Sequence, residues 1–413
     1  YWPPAGGPGV QRWLKLAKYL TQSNCRVRVI TVHPEKATWP VQDEALIGEV
    51  HPDIEVHYTK TFEPFGAYLK ATGRKEVPFS GFANEVDKPG FRQRAAKFIR
   101  GNFFLPDARK GWNRYAFRKA LELIRDEKPD AVITTGPPHS THLIGIRLKG
   151  RAEIKWIADF RDPWTDIYYY DSLYPTQLAR SIDGGLEKRV LREADAVLTS
   201  SPYLGELLMK KIKGGEERFH FFPNGYDEAD FPQPRPQPKE ATLVYTGTLT
   251  SLYPLDALVH ALEDLERAGL KIHFRLFGRA DEKQMKVLKA SAFRFTNEGF
   301  VDHSRAVREM CNAAVLLLVI PDQHPNRGIV PGKIFEYVGS GRPVLGIGPV
   351  EGDSANIIHG SGSGAFFAYD DQVGMANFLR SASRASTPES EEVQQYSRAA
   401  QANALIKIVA QLG

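Results

Sequence analysis

Residues Asn326–Leu345 read NRGIVPGKIFEYVGSGRPVL. The stretch leads from an apolar run through a loop to a helix opened by Pro331 and Gly332, then through a tight glycine turn into a second apolar run. Strand, loop, helix, turn, strand is the repeating unit of a parallel sheet. Lys333 falls in the first helical turn, where the helix dipole disfavours a cation unless an anion such as a diphosphate shares the place. Glu336, one turn on, is placed to accept two hydroxyls of a ribose diol. The plain alternative is a solvated i,i+3 Lys–Glu pair worth roughly 0.2–0.5 kcal/mol. Gly332-Lys333 is followed by Ile334 rather than Ser or Thr, so this is no Walker P-loop, and Asp227-Glu228-Ala229-Asp230 is an acidic turn.

The same alternation fills the C-terminal half. Strands are expected at Thr242–Thr246, Lys271–Phe277, Ala314–Ile320 and Pro343–Ile347, with helices near Pro254–Ala268, Asp281–Ala290, His303–Asn312 and Gly332–Ser340. VYTGTL (Val244–Leu249) and RLFGRA (Arg275–Ala280) each end a strand in a glycine, and NEGFV (Asn297–Val301) adds Gly299 just before a short helix. That is the ligand edge of a parallel sheet, although each taken singly also reads as an ordinary βα turn. Glu391–Gln411 reads as a helical tail. FPQPRPQPKE (Phe231–Glu240) has four prolines in ten residues and is read as a linker.

Before the linker, strands are expected at Val27–Val32, Ala131–Thr135, Ile154–Asp159 and Ala196–Ser200, and helices at Gln11–Leu20, Trp112–Asp126 and Gln177–Ala194. Three loops there carry polar or flexible groups. PPAGGPGVQRW (Pro3–Trp13) sets Gly6, Gly7 and Gly9 before a helix, so that backbone N–H groups could face a phosphate or a hydroxyl. IADFRDPW (Ile157–Trp164) ends a strand with Asp159, Arg161 and Asp162, either facing a sugar or closing the loop as an ion pair, Asp159 being the structural member. TTGPPHSTH (Thr134–His142) offers His139 for a hydrogen bond. The three-residue spacing to His142 suits a metal, but no cysteine or carboxylate lies near in sequence to complete a site. Residue 1 is Tyr, and a glycine-rich turn follows at once; such turns ordinarily follow a strand, so a short strand ahead of it is expected in the native protein.

The chain has 413 residues, enough for two or three domains. Its 42% hydrophobic and 25% charged residues are those of a globular protein and exclude a disordered or fibrous chain. The longest apolar run, Ala313–Ile320, is far short of the roughly 20 residues of a membrane span, and no signal peptide is read at the start. Cys25 and Cys311 stand alone, which points to a reducing cytoplasm. The net charge of +5 is unevenly spread: Phe91–Ala120 holds nine Lys or Arg against one acid, Asp107. There Phe91, Ala95, Phe98 and Ile99 form an apolar stripe amid Arg92, Arg94, Lys97 and Arg100, followed by Phe103, Phe104 and Leu105. The stripe suits either an anionic membrane surface or docking on the domain's own core. No nucleic-acid-binding module accompanies it, and no D-x-D tripeptide occurs to hold a metal on a diphosphate.

Taken in order, PPAGGPGVQRW, DFRDPW, GTL, FGR, GFV and KIFEYVGSGRPVL resemble the successive elements of a family-four glycosyltransferase of the GT-B fold, over nearly the whole chain. The resemblance implies an α/β protein of two Rossmann-like domains facing one cleft. Residues 1–230 would form the acceptor side, 231–240 the linker, 241–385 the nucleotide-sugar donor domain and 386–413 a helical tail. It implies retaining, metal-independent transfer of a sugar from a nucleotide-sugar co-substrate to a glycan or lipid-linked acceptor. No further cofactor is expected. The setting would be cell-surface polysaccharide or glycolipid synthesis, in the cytoplasm or on the inner face of its membrane.

Carried over by position, the donor-binding residues are Gly7, Gly9, Gly247, Thr248, Gly278, Arg279, Gly299, Phe300, Val330, Gly332, Lys333 and Glu336. The catalytic ones are Asp162, Arg161, His139 and Lys333. Glu336 resembles the second of the family's paired glutamates; where the first would fall this chain has Gly328. Ser251, Leu252 and Tyr253 replace the cations usual after the GTL-like glycine, which leaves Arg279 and Lys333 to supply positive charge. Two other readings stay open: a sugar-nucleotide epimerase using His139 and Asp162, and a noncatalytic nucleotide-sugar binder, which Gly328 favours.

Overall fold

The computed structural model describes residues 2–39, 42–62, 91–382 and 391–413. They divide into two units, Tyr1–Pro223 with Ala402–Gly413, and Asn224–Gln401. In the first unit the strands are β1 (Arg28–Val32), β2 (Glu55–Thr59), β3 (Val132–Gly136), β4 (Trp156–Phe160), β5 (Ala196–Thr199) and β6 (Phe219–Phe221). All their pairings are parallel, in a two-stranded sheet β1-β2 and a four-stranded sheet β3-β4-β5-β6. The first helix spans Pro8–Gln22, with Pro8 at its start, where the missing N–H costs nothing, and Asn24 in the left-handed region (φ 63°) just past its end. Val10, Leu14 and Ala17 lie on one face of it and pack with Trp2, Ala5, Leu46 and Ile54. Leu16 on the other face joins Ile157, Ala196, Leu198 and Phe222.

The second unit is one parallel sheet of six strands: β7 (Thr242–Leu249), β8 (His273–Ala280), β9 (Phe295–Gly299), β10 (Val315–Val319), β11 (Val344–Ile347) and β12 (Gly364–Phe367). Their order is β12-β11-β10-β7-β8-β9. A strand buried on both faces must be apolar throughout, and β10 is VLLLV with every residue buried. Successive residues alternate between two cores: Leu316 and Leu318 pack with Val244, Ile334 and Val338, while Val315, Leu317 and Val319 pack with Leu243, Tyr245 and Leu262. The chain runs from β7 to β8 and β9 on one side, then returns to β10 on the other, so the winding reverses between β7 and β10.

The unit boundary differs from the expected linker. Tyr226 and Phe231 are buried in the second unit's core, the Arg235 guanidinium lies 5.5 Å from the centroid of the Phe231 ring, and Arg342 donates to the Pro236 carbonyl. The proline-rich stretch is thus held on the second unit, and the division falls after Pro223. The tail also divides: helices Glu391–Gln394 and Arg398–Leu412 are separate, and Ala402 and Leu405 are buried in a first-unit core. The expected boundary at 385/386 lies outside the described residues. Four strands were not expected, β2, β6, β9 and β12, because they are short and largely half-buried, without the continuous apolar run that marks a central strand.

Candidate functional site

In the second unit, β7 and β8 end side by side, with Gly247 opposite Gly278 and Thr248 opposite Arg279. Gly278 has φ 144°, and a Cβ there would collide with the Gly247 carbonyl, so only glycine fits. The result is a stretch of backbone without side chains beside the point where the winding reverses, the usual ligand position in an open parallel sheet. Lys333 reaches this place from the seven-residue helix Lys333–Gly339. Its Nζ donates to the Thr246 carbonyl at 2.8 Å and sits 3.5 Å from the Tyr245 ring centroid. Desolvation pushes its pKa down to about 7, with Glu336 pulling the other way.

One turn beyond Lys333, Tyr337 fixes the helix to the strand: its hydroxyl accepts from Thr246 N–H at 3.0 Å and lies 3.1 Å from Thr246 Oγ1. Glu336 is partly exposed, and its Oε1 is 2.9 Å from His303 Nε2, the first residue of the helix His303–Asn312. Thr248, Arg279 and Phe300 are exposed at the ends of β7, β8 and β9, Gly299 ends β9, and Val330 packs half-buried against the core just before Gly332. The sequence missed Tyr245, Thr246, Tyr337 and His303. The first three read as strand or helix core, and His303 is distant in sequence from its partner.

In the first unit, Asp159 is fully buried and structural, as read: it pairs with Arg12 at 2.9 Å and accepts from Trp13 Nε1 and Thr135 Oγ1, each at 2.7 Å. Arg12 donates also to the Phe222 and Pro223 carbonyls. Arg161 is turned inward. Its guanidinium donates to the carbonyls of Gly136 and Pro137 and lies over Gly9, where any side chain would displace it. That is why Gly9 is glycine: it admits an arginine rather than a ligand. Gly7 precedes the helix, with φ 103°.

His139 is also turned inward. Its ring stacks on Trp164 with centroids 5.0 Å apart and planes within 8°, and it hydrogen-bonds the Pro163 carbonyl. Desolvation holds its pKa well below the ordinary value, and His142, fully buried, is pushed down to about 3 by the same cause. Thr134 Oγ1 accepts from the Trp156 indole N–H and lies 2.9 Å from His142 Nδ1. Trp164 in turn donates to Asp183 at 2.8 Å, which also accepts from Tyr170 at 3.0 Å. Asp107 secures the His139 turn by accepting from Ser140 N and Oγ at 2.7 and 2.8 Å. Asp162 alone of the expected catalytic groups in this unit is exposed on the loop. Its pKa is raised, by desolvation first, with Arg161 opposing and Asp159 adding to the rise. Among the described residues, no group of three or more His, Cys, Asp or Glu is disposed to hold a metal.

A family model, described as a glycosyl transferase 4-like domain, matches residues 6–225. No curated protein matches the chain. Among solved structures it is similar to a sucrose-phosphate synthase from Thermosynechococcus elongatus, at 14% identity and TM-score 0.54 over 96% of this chain and 92% of that one. It is similar also to a glycosyltransferase from Rickettsia africae, at 14% and 0.55 over 100% and 97%. A third is Anabaena HepE solved in complex with UDP-glucose, at 12% and 0.52 over 100% and 96%. At such identities the likeness is one of fold.

Proposed function

Because the chain belongs to the glycosyl transferase 4-like family and is a glycosyltransferase of the GT-B fold, we propose that it moves a sugar from a nucleotide-sugar donor bound by the second unit to a glycan or lipid-linked acceptor. The transfer proceeds with retention and without a divalent cation, in the synthesis of cell-surface polysaccharide or glycolipid on the cytoplasmic side. The observation that carries this reading is the bare Gly247–Gly278 backbone at the reversal point, with the Lys333 ammonium against it and Glu336 one turn away.

In this reading the bond between the anomeric carbon and the diphosphate oxygen breaks, leaving negative charge on the diphosphate. Lys333 and the exposed Arg279 stabilise that charge, and the strand-end amides approach it without side chains in the way. Glu336 accepts from the ribose hydroxyls and orients the nucleoside. The acceptor hydroxyl attacks the face the diphosphate leaves, and its proton passes to the departing phosphate oxygen. Asp162, on the first unit, serves the acceptor. Arg161, His139 and Trp164 hold the loop that carries Asp162, and in this reading their part is to position it.

The test is a thermal-shift screen of the full chain against UDP, GDP, ADP, CMP and TDP, followed by turnover of the matching radiolabelled sugar nucleotide with and without EDTA. One diphosphate should raise the melting temperature, and EDTA should leave turnover unchanged. No shift with any nucleotide would remove the donor site from the second unit. Activity abolished by EDTA and restored by Mg²⁺ would remove the metal-free mechanism.

A further inference from the structure

Two helices of the first unit present large apolar side chains to solvent next to each other. On Phe91–Phe103 these are Phe98, Ile99 and Phe103, the last 72% exposed; on Gln177–Glu193 they are Leu178, 71% exposed, and Ile182. The helices are joined where these residues lie. Asn102 donates to the Phe98 and Tyr174 carbonyls and accepts from Thr176 N–H, and Gly101 packs against Leu173 without room for a side chain. Single exposed apolar residues are normal, but five on adjoining helices, with Tyr174 exposed between them, make a patch.

Cations outnumber acids around the patch, although Asp171 is exposed beside it. Phe91–Phe103 carries four cations and no acid. Arg94 is exposed, Arg100 half-buried, and Arg180 on the second helix is half-exposed, bridging to Asp171 at 2.7 Å. The acids of the second helix's first three turns, Asp183 and Glu187, are buried on its opposite side. The arrangement differs from the stripe expected from sequence: Ala96 and Lys97 are buried, Phe103 is outermost, and the side chains of Phe91 and Arg92 lie outside the described residues.

We propose that this face of the first unit docks on an anionic lipid bilayer, the apolar row entering the headgroup boundary while the arginines meet lipid phosphates. An apolar strip with a mainly cationic rim fits that surface, because burying the strip and neutralising the rim act together. The proposal is independent of the donor site and would hold whatever sugar is moved.

Cosedimentation of the full chain with vesicles tests it. Binding to phosphatidylcholine–phosphatidylglycerol vesicles should exceed binding to phosphatidylcholine alone by about tenfold or more and weaken with added salt. Phe103→Ser and Leu178→Ser, on different helices and both at exposed positions, should each lower binding about tenfold, and Arg94→Ser about fivefold, with melting temperatures unchanged. Equal binding to neutral vesicles, or variants that bind as wild type, would overturn the proposal. So would a dimer in sedimentation velocity that Phe103→Ser and Leu178→Ser dissolve, which would assign the face to a second copy of the chain.

Discussion

Lys333 is a cation kept in a place that strips its water, against a carbonyl and an aromatic ring. With its pKa near 7 rather than 10.5, it is part-neutral in the empty protein above neutrality. A diphosphate favours the charged form and raises that pKa, so binding takes up a proton between about pH 7 and 10.5, and affinity falls as pH rises through this window. Calorimetry in buffers of different ionisation enthalpy should show the uptake in wild type and none in Lys333→Met. The same variant should lose turnover by about a hundredfold or more if the lysine stabilises the leaving group. Glu336 and His303 separate in the same assay. Glu336→Ala should weaken the nucleotide by about ten- to a hundredfold, the value of hydrogen bonds to a charged group. His303→Ala frees the carboxylate and should leave affinity within about threefold. Comparable losses in both would mean that the pair, not Glu336 alone, reads the nucleoside. In sequence, Lys333 and Glu336 were legible because a lysine in a first helical turn conflicts with the dipole. His303 was not, since pairing over 33 residues leaves no local pattern.

At the scale of the element, the loop from Arg161 to Tyr170 owes its shape to groups behind it. Trp164 and Tyr170 both donate to Asp183, a carboxyl in the helix Gln177–Glu193 whose pKa desolvation pushes up to about 6, the two hydrogen bonds opposing. An unfolded chain gives up this proton near pH 3.8 while the native protein keeps it to about pH 6. Between those values the native state binds more protons, so the contribution of Asp183 to stability falls as pH rises through the window. Urea unfolding across pH 4–6 should show that fall in wild type and a flatter profile in Asp183→Asn. Identical slopes would place the titration elsewhere. The sequence marked the DFRDPW loop as polar and strand-terminal, which the structure supports. The direction each residue takes was not legible, because Arg161 and His139 are drawn inward by partners up to 25 residues away and by the absence of a side chain at Gly9.

At the scale of the whole molecule, the first unit is completed by residues from the far end of the chain. Ala402 and Leu405 are buried against Leu16, Ile157, Leu198 and Phe222. Leu405→Ala should therefore destabilise that unit by about 2–5 kcal/mol, the range for opening a cavity in a packed core, as read by its urea midpoint. A loss below about 0.5 kcal/mol would mean that the tail merely lies on the surface. The sequence was enough to read two α/β units with parallel strands and to place their central strands along the chain, because a strand buried on both faces must be apolar throughout and its turns must carry glycine or proline. It also determined which loops fall at strand ends. Only the tertiary structure decided where the units divide, that the proline-rich stretch rests on the second core, and which polar side chains face outward. Those outcomes depend on contacts between residues far apart in the chain, where burial and hydrogen-bond partners outweigh local pattern.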